Sequence, residues 1–262
     1  MSEKEFTVSR VDEPTGESIT LSGILWEHPD NKDTIVVCHG MFGRKESGMS
    51  PLLSAALCLT WSVARFDFAG NGSSTGEWSY ANYSREVRDI ASIVKYLEET
   101  EGRNVVGVIG HSKAGADVMI AAATPGVAPN PKCCFVSIAG RLTFGKPEKR
   151  FTPEELAEAK EKGYFMWPFH GKEWKITQSA LDERMTMDPR VTVRAISPER
   201  AHRMLQVHGT IDTSTPTVEA EVVRTLIPGA EVRLIEGANH FFATKEVELA
   251  NTVRDWLKEK LL

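Results

Sequence analysis

Ser112 stands in Gly110-His111-Ser112-Lys113-Ala114-Gly115, between the apolar run Val105-Val106-Gly107-Val108-Ile109 and an alanine-rich run over 116–123. A serine at such a strand-to-helix corner is presented as an exposed nucleophile. The sharp turn forces strained angles on it, and only small residues two before and two after it let helix and strand approach. Here those residues are Gly110 and Ala114, with Gly115 next, so the motif departs from G-x-S-x-G by one methyl group.

A hydroxyl is a weak nucleophile until a base takes its proton and an acid orients the base. Seven histidines compete for the first role: His28, His39, His111, His170, His202, His208 and His240. In a parallel sheet the reacting groups gather beyond the carboxyl ends of the strands. His240 is favoured, because Gly237-Ala238-Asn239-His240-Phe241-Phe242 follows the last strand-like run. His111 is expected to point away from the serine beside it, His28 lies in a polar turn, and His39 and His208 precede glycines as loop braces. For the acid, Asp212 fits in Gly209-Thr210-Ile211-Asp212-Thr213-Ser214-Thr215-Pro216, in the chain order serine, acid, histidine. Its alternative use is to cap a helix opening near Pro216. Asp182, Glu183 and Asp188 fall in an insertion, and Glu236 is too close to His240 in sequence to reach its ring from behind. An acyl transfer also needs backbone donors for the oxyanion. Lys113 N–H is one, and Met41 N–H, in Cys38-His39-Gly40-Met41-Phe42-Gly43, is the other. The Lys113 side chain is expected to be solvated, with attraction of acidic substrates as its alternative use.

These residues need a scaffold, and the rest of the chain supplies one. Residues 6–10 and 19–27, separated by Glu13-Pro14-Thr15-Gly16, predict an opening hairpin. Residues 34–38, 62–68, 105–109, 133–138, 204–208 and 231–235 are near-continuous apolar runs of the kind that form buried strands. Tyr83, Val87, Ile90, Ile93, Val94 and Leu97 repeat at helical spacing, as do Val247, Ala250, Val253, Trp256 and Leu257. The alternation predicts an α/β fold with a mostly parallel eight-stranded sheet flanked by helices. One segment, 141–190, carries no strand-like run. It opens a helix with Thr152-Pro153-Glu154-Glu155, a capping box with proline at the first helical position, and that helix ends at Gly163. Tyr164, Phe165, Met166, Trp167, Phe169 and Trp174 follow. We read the segment as a short helical cap inserted after the sixth strand. Phe165, Met166, Trp167 and Phe169, with Phe42 from the oxyanion loop, are expected to line a substrate pocket. The alternative is that these rings pack the insertion onto the domain.

A chain of 262 residues suits one domain, 1–262, carrying the cap at about 141–190. The net charge of -5, with lysine and arginine dispersed, offers no stripe for nucleic acid and no polybasic patch for a membrane surface. A small-molecule partner is therefore expected, and a homodimer is compatible with the sequence. Cys38, Cys58, Cys133 and Cys134 lack metal or disulfide spacing and read as core thiols of a reducing, cytoplasmic setting. No stretch is long and apolar enough to span a bilayer. No cofactor is expected, and no clustered ligand set for a metal is visible.

With His39-Gly40-Met41-Phe42-Gly43, the turn Asp67-Phe68-Ala69-Gly70-Asn71-Gly72-Ser73-Ser74 after the fourth strand, and Ser112, Asp212 and His240 in order, the chain resembles the α/β-hydrolase superfamily from about residue 18 to its end. It looks most like small esterases of the cinnamoyl (feruloyl) esterase and serine aminopeptidase-like groups. The resemblance implies the α/β-hydrolase fold and a serine hydrolase of carboxylesterase type. Such an enzyme would cleave esters of small to medium acyl groups, aromatic ones among them, through an acyl-enzyme on a Ser-His-Asp triad. Two alternatives stay open. One is amide or N-terminal peptide cleavage, which needs an acidic anchor such as Glu154, Glu155, Glu158 or Glu161, although their helical spacing reads as a solvated face. The other is a ligand receptor on a hydrolase fold with vestigial turnover.

Overall fold

A computed structural model describes residues 2–169 and 171–262, so His170 lies outside the described residues. The chain opens with β1 (Ser2–Asp12) and β2 (Glu17–Glu27), paired antiparallel along their length. There follow β3 (Asp33–Cys38), α1 (Met49–Leu57), β4 (Ser62–Phe66), α2 (Tyr83–Glu99), β5 (Asn104–His111), α3 (Lys113–Ala123) and β6 (Cys134–Ile138). An inserted segment holds α4 (Pro153–Lys162), β7 (Tyr164–Phe169), β8 (Lys172–Thr177), α5 (Gln178–Thr186) and the single turns α6 (Pro189–Thr192) and α7 (Pro198–Ala201). The chain then returns through β9 (Met204–Gly209), α8 (Val218–Leu226), β10 (Glu231–Ile235) and α9 (Glu246–Leu261).

Eight of these strands form one sheet, as the alternation predicts, and their order in it is β1-β2-β4-β3-β5-β6-β9-β10. Only β2 runs against its neighbours; from β4 to β10 the pairing is parallel. Helices cover both faces, so the central strands must be apolar on both sides. In β3, Val36 faces the layer of α2 and α3, with Val87, Ile90 and Met119, while Ile35 and Val37 face that of α1 and α9, with Leu53 and Trp256. The strand edge at 231–235 departs from expectation. It is the outermost strand, and Leu234 is exposed while Ile235 is buried, because an edge strand has helical cover on only part of its surface.

The insertion is also not purely helical. Thr152 does cap α4 reciprocally with Glu155, and Gly163 ends it in the left-handed region at φ 83°. The aromatic stretch that follows forms a two-stranded antiparallel hairpin, β7 with β8, against the expectation of a helical cap. Its aromatic rings favour the pleated, half-buried surface of a strand, and a hairpin cross-pairs Trp167 with Trp174. All four cysteines are buried thiols, and no described helix is long and apolar enough to cross a membrane.

Candidate active site

The corner after β5 has the strained geometry its sequence requires. Ser112 takes φ 58° and ψ -114°, a conformation that costs about 1–3 kcal/mol and persists only where the surroundings enforce it. Those surroundings are tight. A Cβ on Gly110 would lie 2.2 Å from the Ala114 carbonyl oxygen, and one on Gly115 would lie 2.8 Å from Gly140 Cα at the end of β6. Space is thus critical at 110 and 115, whereas the Ala114 methyl is simply buried. Ser112 N–H also donates to Ile138 O at 2.8 Å, which ties the corner to β6.

Ser112 Oγ lies 2.9 Å from His240 Nε2, and His240 Nδ1 lies 2.8 Å from Asp212 Oδ2. The two turns that carry the imidazole and the carboxylate are fastened together. Ile211 N–H donates to Ala238 O at 3.1 Å, and a Cβ on Gly209 would meet that same oxygen at 2.2 Å. Asp212 does not cap α8, whose N-cap is Thr217. Its Oδ1 instead accepts from Ser214 and Thr215 N–H, both at 2.8 Å. Burial works to raise the Asp212 pKa, but the bonds from His240 and from these two N–H groups outweigh it and hold the carboxyl below the usual carboxylate value.

His208 approaches the same carboxylate from the other side, its Nε2 3.6 Å from Asp212 Oδ2 while donating to Thr215 O at 2.8 Å. Gln206 Nε2 lies 3.1 Å from His208 Nδ1, which fixes that nitrogen as an acceptor. Neither residue was expected in this role. His111 turns away from the serine and donates from Nε2 to His240 O. Burial, helped by the neighbouring His240, pushes its pKa down to about 4.

The loop bearing Met41 lies beside the serine because β3 pairs with β5, Cys38 opposite Gly110. Gly40 fits close against the corner: a Cβ there would sit 3.0 Å from His111 O and 3.2 Å from Ser112 Cβ. The loop is braced from β4. His39 Nε2 accepts from Phe68 N–H at 3.1 Å, and Asp67 accepts from both Lys45 N–H and Lys45 Nζ at 2.7 Å. Gly72 belongs to the same turn because any Cβ would strike the Asp67 carboxylate. Among the described residues, neither Met41 N–H nor Lys113 N–H, the first of α3, has a hydrogen-bond partner.

The Lys113 side chain is not solvated, contrary to the sequence expectation. It is 8% exposed, pairs with Glu86 Oε1 at 2.7 Å and lies 5.1 Å from the Tyr83 ring. Next to this pair Asp117 is fully buried; burial first, and Glu86 second, push its pKa well above the usual carboxylate value.

Ser112, Met41, Lys113 and His240 open onto one cavity of about 520 Å³. Of the side chains expected to line it, Phe42 and Phe169 do and Phe165, Met166 and Trp167 do not. Alternation along the hairpin accounts for Met166, which points to the opposite face, whereas Phe165, Trp167 and Phe169 share one face and only Phe169, at its end, reaches the cavity. Phe165 packs under the cap against Phe151, Met166 faces outward at 42% exposure, and Trp167 stacks behind Phe169 with centroids 4.4 Å apart. Phe42, at φ 62°, stacks on Trp78 and meets Trp174 at 4.4 Å, so loop and hairpin share one aromatic cluster. Glu155 and Glu158 are spent on the α4 cap and on Lys162. Among the described residues no group of three or more His, Cys, Asp or Glu could hold a metal ion.

A sequence model described as the alpha/beta hydrolase family matches residues 35–252. No curated protein matches the chain in sequence. Among solved structures, the alpha/beta hydrolase GrgF from Penicillium sp. sh18 superposes with a TM-score of 0.80 at 17% identity, covering 100% of this chain and 99% of its own. Est1E from Butyrivibrio proteoclasticus with ferulic acid bound gives 0.77 at 17% identity, over 98% of this chain and 99% of that one. The esterase Pf2001 of Pyrococcus furiosus gives 0.69 at 16% identity, over 98% and 92%. At such identities the likeness is one of fold.

Proposed function

The chain belongs to the alpha/beta hydrolase family, and from that premise we propose that it is a serine hydrolase cleaving carboxylic esters through an acyl-enzyme, with the segment between β6 and β9 as its cap. His240 Nε2 takes the Ser112 proton as Oγ attacks the ester carbonyl, and Asp212 orients the ring and stabilises the imidazolium at Nδ1. Negative charge developing on the carbonyl oxygen is met by the N–H groups of Met41 and Lys113. The imidazolium then protonates the leaving alcohol. Water, deprotonated by the same ring, attacks the acyl-serine, and collapse of that adduct releases the acid and restores Ser112.

The observation that carries this reading is the unbroken chain from Ser112 Oγ through His240 to Asp212, at 2.9 and 2.8 Å. Similarity to Est1E with ferulic acid bound and to the Pyrococcus furiosus esterase supports an ester as substrate. The test is a panel of p-nitrophenyl esters of increasing chain length, methyl ferulate and aminoacyl anilides, run with wild type and Ser112→Ala. Ester turnover that depends on Ser112 is expected. Equal turnover by the two proteins on every ester would overturn the reading, and faster cleavage of the anilides would move it to amides.

A further inference from the structure

The cavity above Ser112 is cationic in a chain that is acidic overall. Arg141, Arg150 and Arg184 stand on its wall, and no Asp or Glu does, although the chain carries a net charge of -5. Lys113 on the same wall is already neutralised by Glu86. The arginines are not: among the described residues none of the three forms an ion pair with a carboxylate. Two acids close to them in the fold or sequence are engaged by main-chain groups. Glu183 accepts from Asn82 N–H, and Glu219 accepts from the N–H groups of Leu142 and Thr143.

Their surroundings show what they can still bind. Arg184 is only 8% exposed; it donates to Tyr83 Oη at 2.6 Å and lies 5.2 Å from the Tyr80 ring. Arg150, exposed at the mouth, lies over Trp167 at 4.8 Å and Tyr80 at 5.7 Å. A guanidinium carries five N–H donors, and in Arg150 and Arg184 only Arg184 Nη1 has a hydrogen-bond acceptor, Tyr83 Oη, among the described residues. Arg141, placed directly after Gly140 where β6 meets the serine corner, has a buried Nε with no hydrogen-bond partner. A purely structural role, pinning the cap through cation–π contacts, accounts for these ring contacts. It leaves three clustered positive charges and the Arg141 Nε uncompensated, an arrangement that costs free energy unless an anion completes it.

We propose that this cavity selects esters that carry an anionic group, carboxylate or phosphate type, which Arg184 and Arg141 hold in the cavity and Arg150 meets at the mouth. The proposal rests on the serine hydrolase reading for its chemistry but not for its binding. The rings of Phe42, Phe169 and Tyr80 cover the body of such a substrate, while the guanidinium forks fix the charged end by paired hydrogen bonds.

The experiment compares kcat/KM for p-nitrophenyl hemiglutarate, a p-nitrophenyl phosphonobutanoate and neutral p-nitrophenyl valerate. The same ratios are taken for Arg141→Gln, Arg150→Gln and Arg184→Gln, each checked for folding by circular dichroism. Wild type is expected to favour one anionic ester over the neutral one by about tenfold or more at low salt, as a charge-assisted pair provides. That ratio should collapse in the arginine variants, and which anionic ester is preferred identifies carboxylate or phosphate as the group. A ratio of one or below in wild type, or a preference that none of the three substitutions reduces, overturns the proposal. Arg184→Gln removes a buried group and can unfold the protein; Arg150→Gln, at an exposed position, keeps the comparison readable. Calorimetry on Ser112→Ala separates this proposal from the catalytic one: monomethyl glutarate is expected to bind more tightly than dimethyl glutarate whether or not any ester is turned over. Equal binding of the two would overturn it.

Discussion

The ring of His111 donates from Nε2 to the main-chain oxygen of His240 at 2.9 Å, and the two imidazoles lie with centroids 5.0 Å apart. One histidine thus holds the backbone of the other from a buried position.

This arrangement makes stability depend on pH. The His111 pKa falls from 6.5 in the unfolded chain to about 4 in the folded one, chiefly through burial. As pH drops below 6.5 the unfolded state takes up this proton first, so stability is full above that value and declines until about pH 4. The slope from this residue is about 1.4 kcal/mol per pH unit, or about 3 kcal/mol in all. His111→Gln keeps a donor for His240 O and does not titrate. Denaturant unfolding at pH 7 and pH 5 should show a smaller loss for the variant than for wild type.

Asp212→Asn should keep the Oδ1 bonds to Ser214 and Thr215 while presenting an amide N–H to His240 Nδ1. The ring is then forced into the tautomer that cannot accept the Ser112 proton, and kcat should fall about 10⁴-fold. The same substitution removes a pH effect of opposite origin. Because the folded Asp212 pKa is lowered from 3.8, its stabilising contribution is present above that value and is lost as pH falls through the folded one. Acid-unfolding curves of the two proteins should therefore converge at the lowest pH.

Gly110→Ala and Ala114→Gly test where the corner needs space. A methyl at 110 meets a main-chain oxygen at 2.2 Å and cannot be accommodated without moving α3 away from β5. Loss of both activity and several kcal/mol of stability is expected, of the order seen for overpacking. Ala114→Gly, which restores the strict G-x-S-x-G pattern, should cost no more than about 1 kcal/mol, the helix penalty of glycine. Thermal unfolding and ester turnover read both.

The Lys113–Glu86 pair should behave as a buried unit. Glu86→Gln strands the ammonium and should destabilise by about 3–5 kcal/mol, whereas Lys113→Met combined with Glu86→Gln should recover much of that loss. A double-mutant cycle by urea denaturation measures the coupling.

What could be read from the chain divides along physical lines. The sheet and its order of reacting turns follow from apolar runs and strand-end glycines, which are local signals; Ser112, Asp212 and His240 each sit just past such a run and converge to within hydrogen-bond distance. The hairpin of the cap was hidden because Tyr164, Phe165, Met166 and Trp167 are apolar without alternation, so neither its period nor its lining face could be told. Lys113 looked like a surface lysine because its partner, Glu86, is 27 residues earlier on another helix. Arg184 gave no sequence signal at all: only the folded cap brings it over the cavity. Arg141 could have been found, since it follows a strand on the same edge as the serine.

Phe42 gives the cap a second consequence. Its ring is wedged among Trp78, Phe169 and Trp174, yet its backbone, in a left-handed conformation, adjoins the Met41 amide. The roof of the cavity and the loop that carries the proposed oxyanion donor therefore meet at one ring. On the proposed mechanism, exchanging the hairpin to change what enters should retune the chemistry as well, so that substrate choice and bond-breaking power are inherited together.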